Sequence, residues 1–383
     1  MAKKRANGEG NIRKRKDGRW EGRYTAGYDP ATGKRIIKNV LGKTQAEVKE
    51  KLARAIDSTK DLDVARMDDY TVATWLAEWY EIYAQPNIRL ATAERYKMMM
   101  DIYTVPRIGG IKLAKLTAHD LQKLYKDLQE NGRVRPTKKG GNGLSSTTVR
   151  SLHLMLHSAF ERAVKERLIV RNPPEDCIAP KARKVEMNIL QPEDISAYLK
   201  AADECGLLPM FFLELVSGLR KGELTALLWS DLDTENKTIS VSKQYVRNPN
   251  GELALSRPKT ENSVRLVSIP QEAVDLLCAE HSKHPTNPYM FPSPKTGEMY
   301  HPDSIVNLHK KILKSAGLGH LKFHELRHTF ATTALQNGVD VKTVSSMLGH
   351  YDAGFTLRTY THATRQKQEQ AAEKMGSFMQ QVR

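Results

Sequence analysis

The stretch "HELRHTF", residues 324–330, fits two unrelated chemistries. His324-Glu325-x-x-His328 matches the zinc-metalloprotease pattern, in which two histidines at i and i+4 bind the metal and the glutamate activates water. His324 and Arg327 support a second interpretation, because residues three apart share a helix face and can present an imidazole and a guanidinium to a phosphate. The surrounding sequence has to decide between them.

The near neighbours of this stretch weaken the zinc interpretation. Arg327 lies on the same predicted helix face as His324 and His328, and its positive charge would repel Zn²⁺. The longer zinc pattern also fails, because alanines occupy the two positions where it requires glycine and histidine. Glu369 or Glu373 could still supply a third ligand, so a zinc metalloprotease stays open as a remote alternative.

The composition points to a nucleic-acid partner. The chain has 383 residues, enough for two or three domains, because one core seldom grows beyond about 250 to 300 residues. Its 60 Lys and Arg against 44 Asp and Glu give a net charge of +16. Residues 1–60 alone hold 17 Lys and Arg against 7 Asp and Glu, a net charge of +10. A basic excess concentrated at one end is typical of a surface that binds a polyanion.

Three further features indicate the compartment. The cysteines, Cys177, Cys205 and Cys278, are far apart and have the spacing of neither a disulfide framework nor a zinc ribbon, which favours a reducing cytoplasm. The most apolar run, "LLPMFFLELV" from Leu207, is shorter than the roughly 20 apolar residues that span a bilayer. The charged N-terminus is not followed by the apolar segment of a secretory signal. We therefore expect a cytoplasmic protein with no membrane contact.

Residues 1–62 predict a small three-stranded β-sheet backed by one helix. In the strand "GRWEGRYTAGY", alternation places Tyr28 with the other aromatic residues on one packed face and Arg19 and Arg23 on the opposite, basic face. Turn signals bracket this strand, and a capping box that begins at Thr44 starts the helix. The basic face predicts DNA binding through Arg19 and Arg23.

Residues 70–175 predict an α-helical bundle. Four segments have helical periodicity, and Thr117 and Ser145 are predicted to cap two of them. The residues expected in the bundle core are Trp75, Trp79, Met98 and Met99. Between the third and fourth helices, the loop "GRVRPTKKGGNG" carries Lys138 and Lys139, which could follow a phosphate backbone.

Residues 186–383 predict a mixed α+β, mainly helical domain. It contains four short motifs: "SGLRKGEL" with Arg220, "RPKTENSVR" with Lys259, "HELRHTF" with His324 and Arg327, and "LGHYDAGFTLRTYTH" with His350 and Tyr360. Their order and local context resemble the tyrosine recombinase family, the phage-type integrases, and in particular the integrases of conjugative transposons. Four motifs in this order outweigh a single five-residue zinc pattern.

The resemblance implies a multidomain protein in which each domain has its own function. Residues 1–62 would bind arm-type DNA sites, residues 70–175 would bind the core-type site, and residues 186–383 would form the catalytic domain with a C-terminal helix. By position, the resemblance assigns a catalytic set of Arg220, Lys259, His324, Arg327, His350 and Tyr360, with Glu223 supporting Arg220. Tyr360 would be the nucleophile.

The resemblance also implies the reaction and its partners. It predicts site-specific recombination that integrates and excises a mobile element through a covalent 3′-phosphotyrosine and a Holliday junction, with no metal and no cofactor. A homotetramer would act on double-stranded DNA, associated with the nucleoid, and an excisionase and a host DNA-bending protein are further partners of such integrases. The C-terminal helix, with Ala372, Met375 and Met379 at helical spacing, could dock in cis or onto a neighbour.

The residue types suit phosphoryl transfer on physical grounds. Negative charge builds on the non-bridging oxygens, and Arg220 and Arg327 can each bond two phosphate oxygens while staying charged. A tyrosine with an ordinary pKa near 10 needs a positive field or a base to attack as the phenolate. Lys259 could protonate the departing 5′ oxygen, and His324 and His350 could supply hydrogen bonds and proton transfers.

Other functions stay open at this point. A DNA-binding architectural or regulatory factor that has lost catalysis would keep the basic surfaces, although all six catalytic positions are filled. A type IB topoisomerase would share the chemistry, but the N-terminal domain disfavours it. Tyr351 is a rival nucleophile, but it directly follows His350, where the family does not place that residue.

Overall fold

The computed structural model describes residues 10–28, 32–59, 62–63, 66, 69–135, 141–181, 188–247, 253–256, 264–350, 352–360, 372–373 and 375–382. The chain divides into two compact units, residues 1–184 and 185–383. Among the described helices, none combines the length and the apolar character needed to cross a membrane.

The first unit begins with a three-stranded antiparallel sheet, as predicted. Its strands, in spatial order, are β1 (Asn11–Lys14), β2 (Trp20–Tyr28) and β3 (Arg35–Gly42). Helix α1 (Gln45–Thr59) follows the predicted cap, in which the Thr44 hydroxyl accepts a hydrogen bond from the Glu47 N–H at 3.2 Å. A Cβ on Gly22 would lie 2.9 Å from Val48 Cγ1, so the glycine permits the close packing of α1 on the sheet.

The prediction that Tyr28 shares the packed face is wrong. The pairing of β2 with β3 shifts register between Thr25 and Gly27, which marks a β-bulge. A bulge adds one residue to a strand and so reverses the faces of the residues beyond it. Tyr28 is therefore 62% exposed, whereas Tyr24, before the bulge, is 6% exposed.

The rest of the first unit is helical, as predicted. Its α-helices are α2 (Val72–Trp79), α3 (Leu90–Met98), α4 (Val105–Ile108), α5 (Ala118–Asn131) and α6 (Ser146–Lys165). Turns of π-helix, Tyr80–Ala84 and Met99–Thr104, continue α2 and α3. The hydroxyls of Thr117 and Ser145 accept hydrogen bonds from first-turn N–H groups, so both act as the predicted caps.

The bundle core contains three of its four predicted members. Trp75, Trp79 and Met99 are buried, but Met98 is 39% exposed, so its prediction is wrong. The π-helical turn that starts at Met99 directs Met99 and the following residue inward and leaves Met98 outside. The indole N–H of buried Trp75 donates to the Ala159 carbonyl oxygen at 3.0 Å, which satisfies its polar group.

The second unit is mixed α+β and mainly helical. Its helices are α7 (Pro192–Glu204), α8 (Leu208–Ser217), α9 (Lys221–Leu224), α10 (Gln271–His281), α11 (Pro302–Ser315), α12 (Phe323–Gln336), α13 (Val341–Leu348) and α14 (Ala353–Thr359). Its strands are β4 (Leu232–Asp233), β5 (Thr238–Val241), β6 (Gln244–Arg247), β7 (Leu253–Ser256) and β8 (Arg265–Ser268). Strands β4, β5 and β8 form one antiparallel sheet in that order, and β6 pairs with β7. Residues 375–382 are helical, with Met375 and Met379 exposed.

Buried polar contacts hold the start of helix α12, which carries "HELRHTF". His309 Nδ1 lies 2.8 Å from the Tyr198 hydroxyl, and His309 Nε2 lies 3.0 Å from the Leu321 carbonyl oxygen. Burial lowers the pKa of His309 to about 4, so the ring is neutral and can accept at Nδ1 while it donates from Nε2. These bonds fix the backbone that leads into α12.

Candidate active site

Arg220 lies in the turn between helices α8 and α9. Helix α8 ends at Gly218, whose φ of +60° is the left-handed conformation that glycine adopts without strain. Arg220 Nη1 then donates to Glu223 Oε1 at 2.7 Å, and the Arg220 backbone N–H donates to the other carboxylate oxygen at 3.0 Å. The Arg220 side chain remains 35% exposed, so the guanidinium is oriented but still accessible.

Glu223 joins Arg220 to a second arginine. Arg265 Nη2 donates to Glu223 Oε2 at 2.9 Å, and both side chains are buried. Burial by itself would raise the pKa of Glu223, but the hydrogen bond and charge of Arg265 and the charge of Arg220 outweigh it, and the pKa lies below its ordinary value. The carboxylate is therefore ionised and positions both guanidiniums.

Arg327, on helix α12, is buried and held by backbone carbonyls. Its Nη1 donates to the Gly218 oxygen at 2.7 Å, and its Nη2 donates to the Leu348 oxygen at 2.6 Å. Burial and the nearby charge of Arg220 lower the pKa of Arg327 to about 10. The guanidinium therefore keeps its charge at neutral pH.

Three arginines donate hydrogen bonds to carbonyl oxygens at the C-terminus of helix α13. The carbonyl oxygens of Met347, Leu348 and Gly349 accept hydrogen bonds from Arg265 Nε, Arg327 Nη2 and Arg220 Nη2 at 2.5, 2.6 and 3.3 Å. The last carbonyls of a helix have no partner within it and carry the negative end of its dipole. We call Arg220, Arg265 and Arg327 the arginine cluster; the helix end and Glu223 hold its geometry, leaving a positive site suited to a phosphate.

Tyr360 lies at the end of helix α14, with its hydroxyl on helix α12. Its Oη is 2.7 Å from His328 Nδ1, and the two ring centroids are 5.6 Å apart. Burial raises the pKa of Tyr360 to about 12, although the charge of Arg327 opposes the increase. Burial, followed by the influence of His324 and Arg327, lowers the pKa of His328 to about 4. At neutral pH a neutral phenol thus meets a neutral imidazole.

Two further histidines, His324 and His350, belong to the site. The ring centroids of His324 and His328 are 4.9 Å apart, and His324 is exposed to solvent. His350 Nδ1 is 2.7 Å from Thr356 Oγ1, and Phe355 packs edge-on against its ring. Burial and the charge of Arg327 lower the pKa of both histidines, to about 4 for His350. Each is a neutral hydrogen-bonding group at pH 7.

The contacts of "HELRHTF" favour its phosphate-binding interpretation. Glu325, which the zinc pattern needs as a base, accepts the backbone N–H of Lys322 at 2.6 Å and so caps helix α12. His328, a metal ligand in that pattern, contacts Tyr360 instead. The part of the chain that the structure describes contains no group of three His, Cys, Asp or Glu residues placed to hold a metal ion.

Sequence reasoning named most of these residues but missed two. Arg265 ends the quoted motif "RPKTENSVR", where an arginine at the start of a buried strand was an available signal. His328 was left out of the catalytic set, although it directly follows Arg327. Lys259 and the rival Tyr351 lie outside the described residues.

The predicted DNA-binding residues of the first unit can be placed only in part. Arg19 pairs with Asp17 at 2.8 Å at a strand turn. Arg23 Nε donates at 3.1 Å to Glu21, a buried carboxylate on the face opposite helix α1. Hydrogen bonds, first from Asn39 and then from Arg13, lower the pKa of Glu21 to about 2. Lys138 and Lys139 lie outside the described residues.

A buried tyrosine hydroxyl beside a cluster of oriented arginines has the composition of a centre that transfers phosphodiesters to a tyrosine. Comparison with known proteins agrees. The model of the phage integrase family matches residues 187–367, and the model of the phage integrase N-terminal SAM-like domain matches residues 71–129. The chain belongs to the phage integrase family, and it is a site-specific recombinase that cleaves and rejoins DNA.

Curated relatives match nearly the full length. A "Tyrosine recombinase XerC-like" protein of Caldanaerobacter subterraneus subsp. tengcongensis is 27% identical over 92% of this chain and 95% of its own. The ICEBs1 integrase of Bacillus subtilis is 24% identical over 96% of this chain and 100% of its own. The similarity therefore includes the N-terminal region as well as the four motifs.

Solved structures confirm the fold class. The Tn1549 transposon integrase, in complex with a circular intermediate DNA, is similar with a TM-score of 0.67 and 22% identity, covering 79% of this chain and 99% of that one. A lambda integrase tetramer bound to a Holliday junction is similar with a TM-score of 0.55 and 19% identity, covering 90% of this chain and 96% of that one. The small sheet, the helical region and the mixed, mainly helical second unit are thus an integrase architecture.

Proposed function

We propose that this integrase cleaves DNA with Tyr360 as nucleophile and rejoins it from a covalent 3′-phosphotyrosine. The observation that carries the proposal is the position of the Tyr360 hydroxyl, which is buried, bonded to His328, and close enough to Arg327 for its charge to act on the phenol pKa. A scissile phosphate held by the arginine cluster would lie within reach of this oxygen.

The arginine cluster neutralises the charge that develops during attack. Arg220 and Arg327 bind the non-bridging oxygens, and Arg265 acts through Glu223 as a positioning residue. Because the guanidiniums are held by Glu223 and by the end of helix α13, little reorganisation is needed when DNA arrives.

Proton transfer completes the step. Neutral His324 and His350 each offer one N–H to a phosphate oxygen. Lys259, which the sequence places between strands β7 and β8, protonates the 5′ oxygen as it leaves. The tyrosyl phosphodiester retains the bond energy of the broken linkage, so a 5′ hydroxyl can reverse the reaction without ATP, metal or cofactor.

Recombination requires several protomers and two DNA segments. We extend to this chain the Holliday-junction tetramer in which lambda integrase was solved and the circular-intermediate complex of the Tn1549 integrase. Residues 1–62 bind arm-type sites, residues 70–175 bind the core-type site, and residues 186–383 catalyse strand transfer in a homotetramer. The net charge of +16 suits double-stranded DNA in the cytoplasm as the partner, with an excisionase and a host DNA-bending protein setting direction.

A recombination assay tests this proposal. Two plasmids that carry the attachment sites of the element encoding this chain are incubated with the protein in EDTA, and recombinant product is quantified. Tyr360→Phe is expected to reduce product to background while core-site affinity stays within about twofold of wild type, because only the nucleophilic oxygen is removed. The matched control, Tyr351→Phe, is expected to recombine normally.

Two outcomes would contradict the proposal. Recombination that survives in Tyr360→Phe would assign the nucleophile elsewhere. Tight, site-specific DNA binding without any strand cleavage by the wild-type protein would instead favour an architectural factor.

A further inference from the structure

His328 was not among the residues assigned to catalysis, yet it is the group that touches the nucleophile. In the described part of the chain, its Nδ1 is the hydrogen-bond partner of the Tyr360 hydroxyl, at 2.7 Å. His324 and His350 have other neighbours, since the first packs against the His328 ring and the second bonds Thr356. The geometry therefore separates the three histidines by role.

The protonation states fix the direction of this bond. A neutral imidazole accepts a proton at one nitrogen, and a protonated phenol donates its only hydrogen. When Tyr360 donates to Nδ1, the proton of His328 is on Nε2 and the buried hydroxyl is satisfied. The opposite direction would leave the phenol hydrogen without an acceptor among the described residues. Tyr360 is thus aligned to give its proton to His328.

We propose that His328 accepts the proton of Tyr360 during DNA cleavage and returns it during rejoining; this inference rests on the proposed role of Tyr360 as nucleophile. As the phenol oxygen bonds to phosphorus, its O–H bond breaks and an N–H bond forms at His328 Nδ1. The bond from phosphorus to the 5′ oxygen breaks, and that oxygen takes a separate proton from Lys259. Rejoining reverses each transfer.

The charges around His328 couple this proton transfer to DNA binding. The groups that face its ring are Tyr360, His324, Arg327 and, across the site, His350. In the free protein, burial, His324 and Arg327 hold the pKa of His328 well below its ordinary value of 6.5. A scissile phosphate offsets the charge of Arg327 and so makes His328 a better base only when substrate is present.

The burial of Tyr360 explains why it needs such a base. With a pKa of about 12, only about one hydroxyl in 10⁵ would be ionised at pH 7. A positioned base typically contributes a factor of about 10² to 10⁴ in rate. A residue that only packs against Tyr360 would not accept its proton and would give the cleavage rate no pH dependence.

Single-turnover cleavage of a nicked core-site duplex tests the inference. His328→Gln keeps a side-chain hydrogen-bond acceptor but has no basic nitrogen, and it is expected to slow covalent-complex formation at least about 100-fold with core-site affinity unchanged. The matched control is His320→Gln, an exposed histidine before helix α12, which should cleave at the wild-type rate.

A second substitution distinguishes a base from a structural support. Replacing Tyr360 by a fluorinated tyrosine of lower phenol pKa is expected to restore much of the rate in His328→Gln, because a more acidic phenol needs less help to lose its proton. A His328→Gln rate within about threefold of wild type would overturn the inference, and so would a loss that the fluorinated tyrosine does not relieve. Cleavage by the wild type that persists in Tyr360→Phe would instead overturn the proposed function.

Discussion

Glu214 is a buried carboxyl group that the proposed chemistry does not use. It lies on helix α8, fully buried, and neither carboxylate oxygen has a hydrogen-bond partner among the described residues. Burial raises its pKa well above the ordinary value of 4.5, although the charges of Arg327 and Arg265 oppose the shift. The raised pKa favours the protonated form, and the group reduces stability, because a buried polar group without a partner costs about 1 to 3 kcal/mol.

Replacing this carboxyl should stabilise the protein. Glu214→Met, close in size and apolar, is expected to raise the free energy of unfolding by about 1 to 3 kcal/mol at pH 7, measured by denaturant titration. Because the folded-state pKa is raised, the wild type loses stability as pH rises above 4.5, where the unfolded chain ionises first. The variant should lack this decline. A control at an exposed glutamate, Glu204→Met, should change stability by less than about 0.5 kcal/mol, and an equal effect in both variants would contradict the account.

At the scale of single residues, the sequence predicts which residues form the site better than it predicts which of them contact one another. Arg220, Arg327 and Tyr360 are recognisable because each one stands within its own short motif. The contact of Tyr360 with His328 joins residues 32 apart, and that of Arg265 with Glu223 joins residues 42 apart. Such pairs depend on how helices and strands pack, which no local pattern encodes.

At the scale of elements, the end of helix α13 is the feature that orders the arginine cluster. Gly349 has a φ of +62°, and its carbonyl oxygen accepts from Arg220. A Cβ at this position would lie 3.1 Å from Arg265 Nη1 and 3.2 Å from Arg265 Cδ. The glycine thus permits both the left-handed helix end and the close approach of the guanidinium.

Substituting Gly349 should slow DNA cleavage by more than the accompanying loss of folding stability can explain. Gly349→Ala is expected to displace Arg265 and slow single-turnover cleavage by about 10- to 100-fold, because small misplacements of catalytic groups are costly. Gly317→Ala is a matched control: its φ is +68°, and a Cβ there would meet nothing within 4 Å. Both variants should lose about 1 to 2 kcal/mol of stability from the left-handed backbone. Equal cleavage rates in the two variants would contradict a role for the Arg265 contact.

The helix caps were predictable and the bulge was not. Thr117 and Ser145 cap helices as their sequences predict, because a cap depends on residues three apart. The bulge between Thr25 and Gly27 depends on pairing with another strand, and it exposes Tyr28 against the alternation of its own strand.

At the scale of the whole molecule, distant motifs converge on one centre. Arg220, Arg265, Arg327 and Tyr360 belong to four separate segments, and the C-terminus of helix α13 together with helix α12 brings them together. The order of the motifs predicted the integrase fold through its resemblance to the phage-type integrases. In the structure, each motif ends or begins an element of the second unit. The alternation and turn signals of residues 1–62 similarly predicted the small sheet, whose strand order follows the chain.

The role of Tyr360 as the nucleophile can be tested by locating the covalent bond between the protein and DNA. A nicked core-site duplex traps the covalent complex, which is digested with trypsin and nuclease and mapped by mass spectrometry. Tyr360 and its rival Tyr351 fall in different tryptic peptides, residues 359–365 and 343–358. We expect a nucleotide adduct on Tyr360 in peptide 359–365, formed in EDTA and missing in Tyr360→Phe. An adduct in peptide 343–358, or cleavage with no protein–DNA bond, would contradict it.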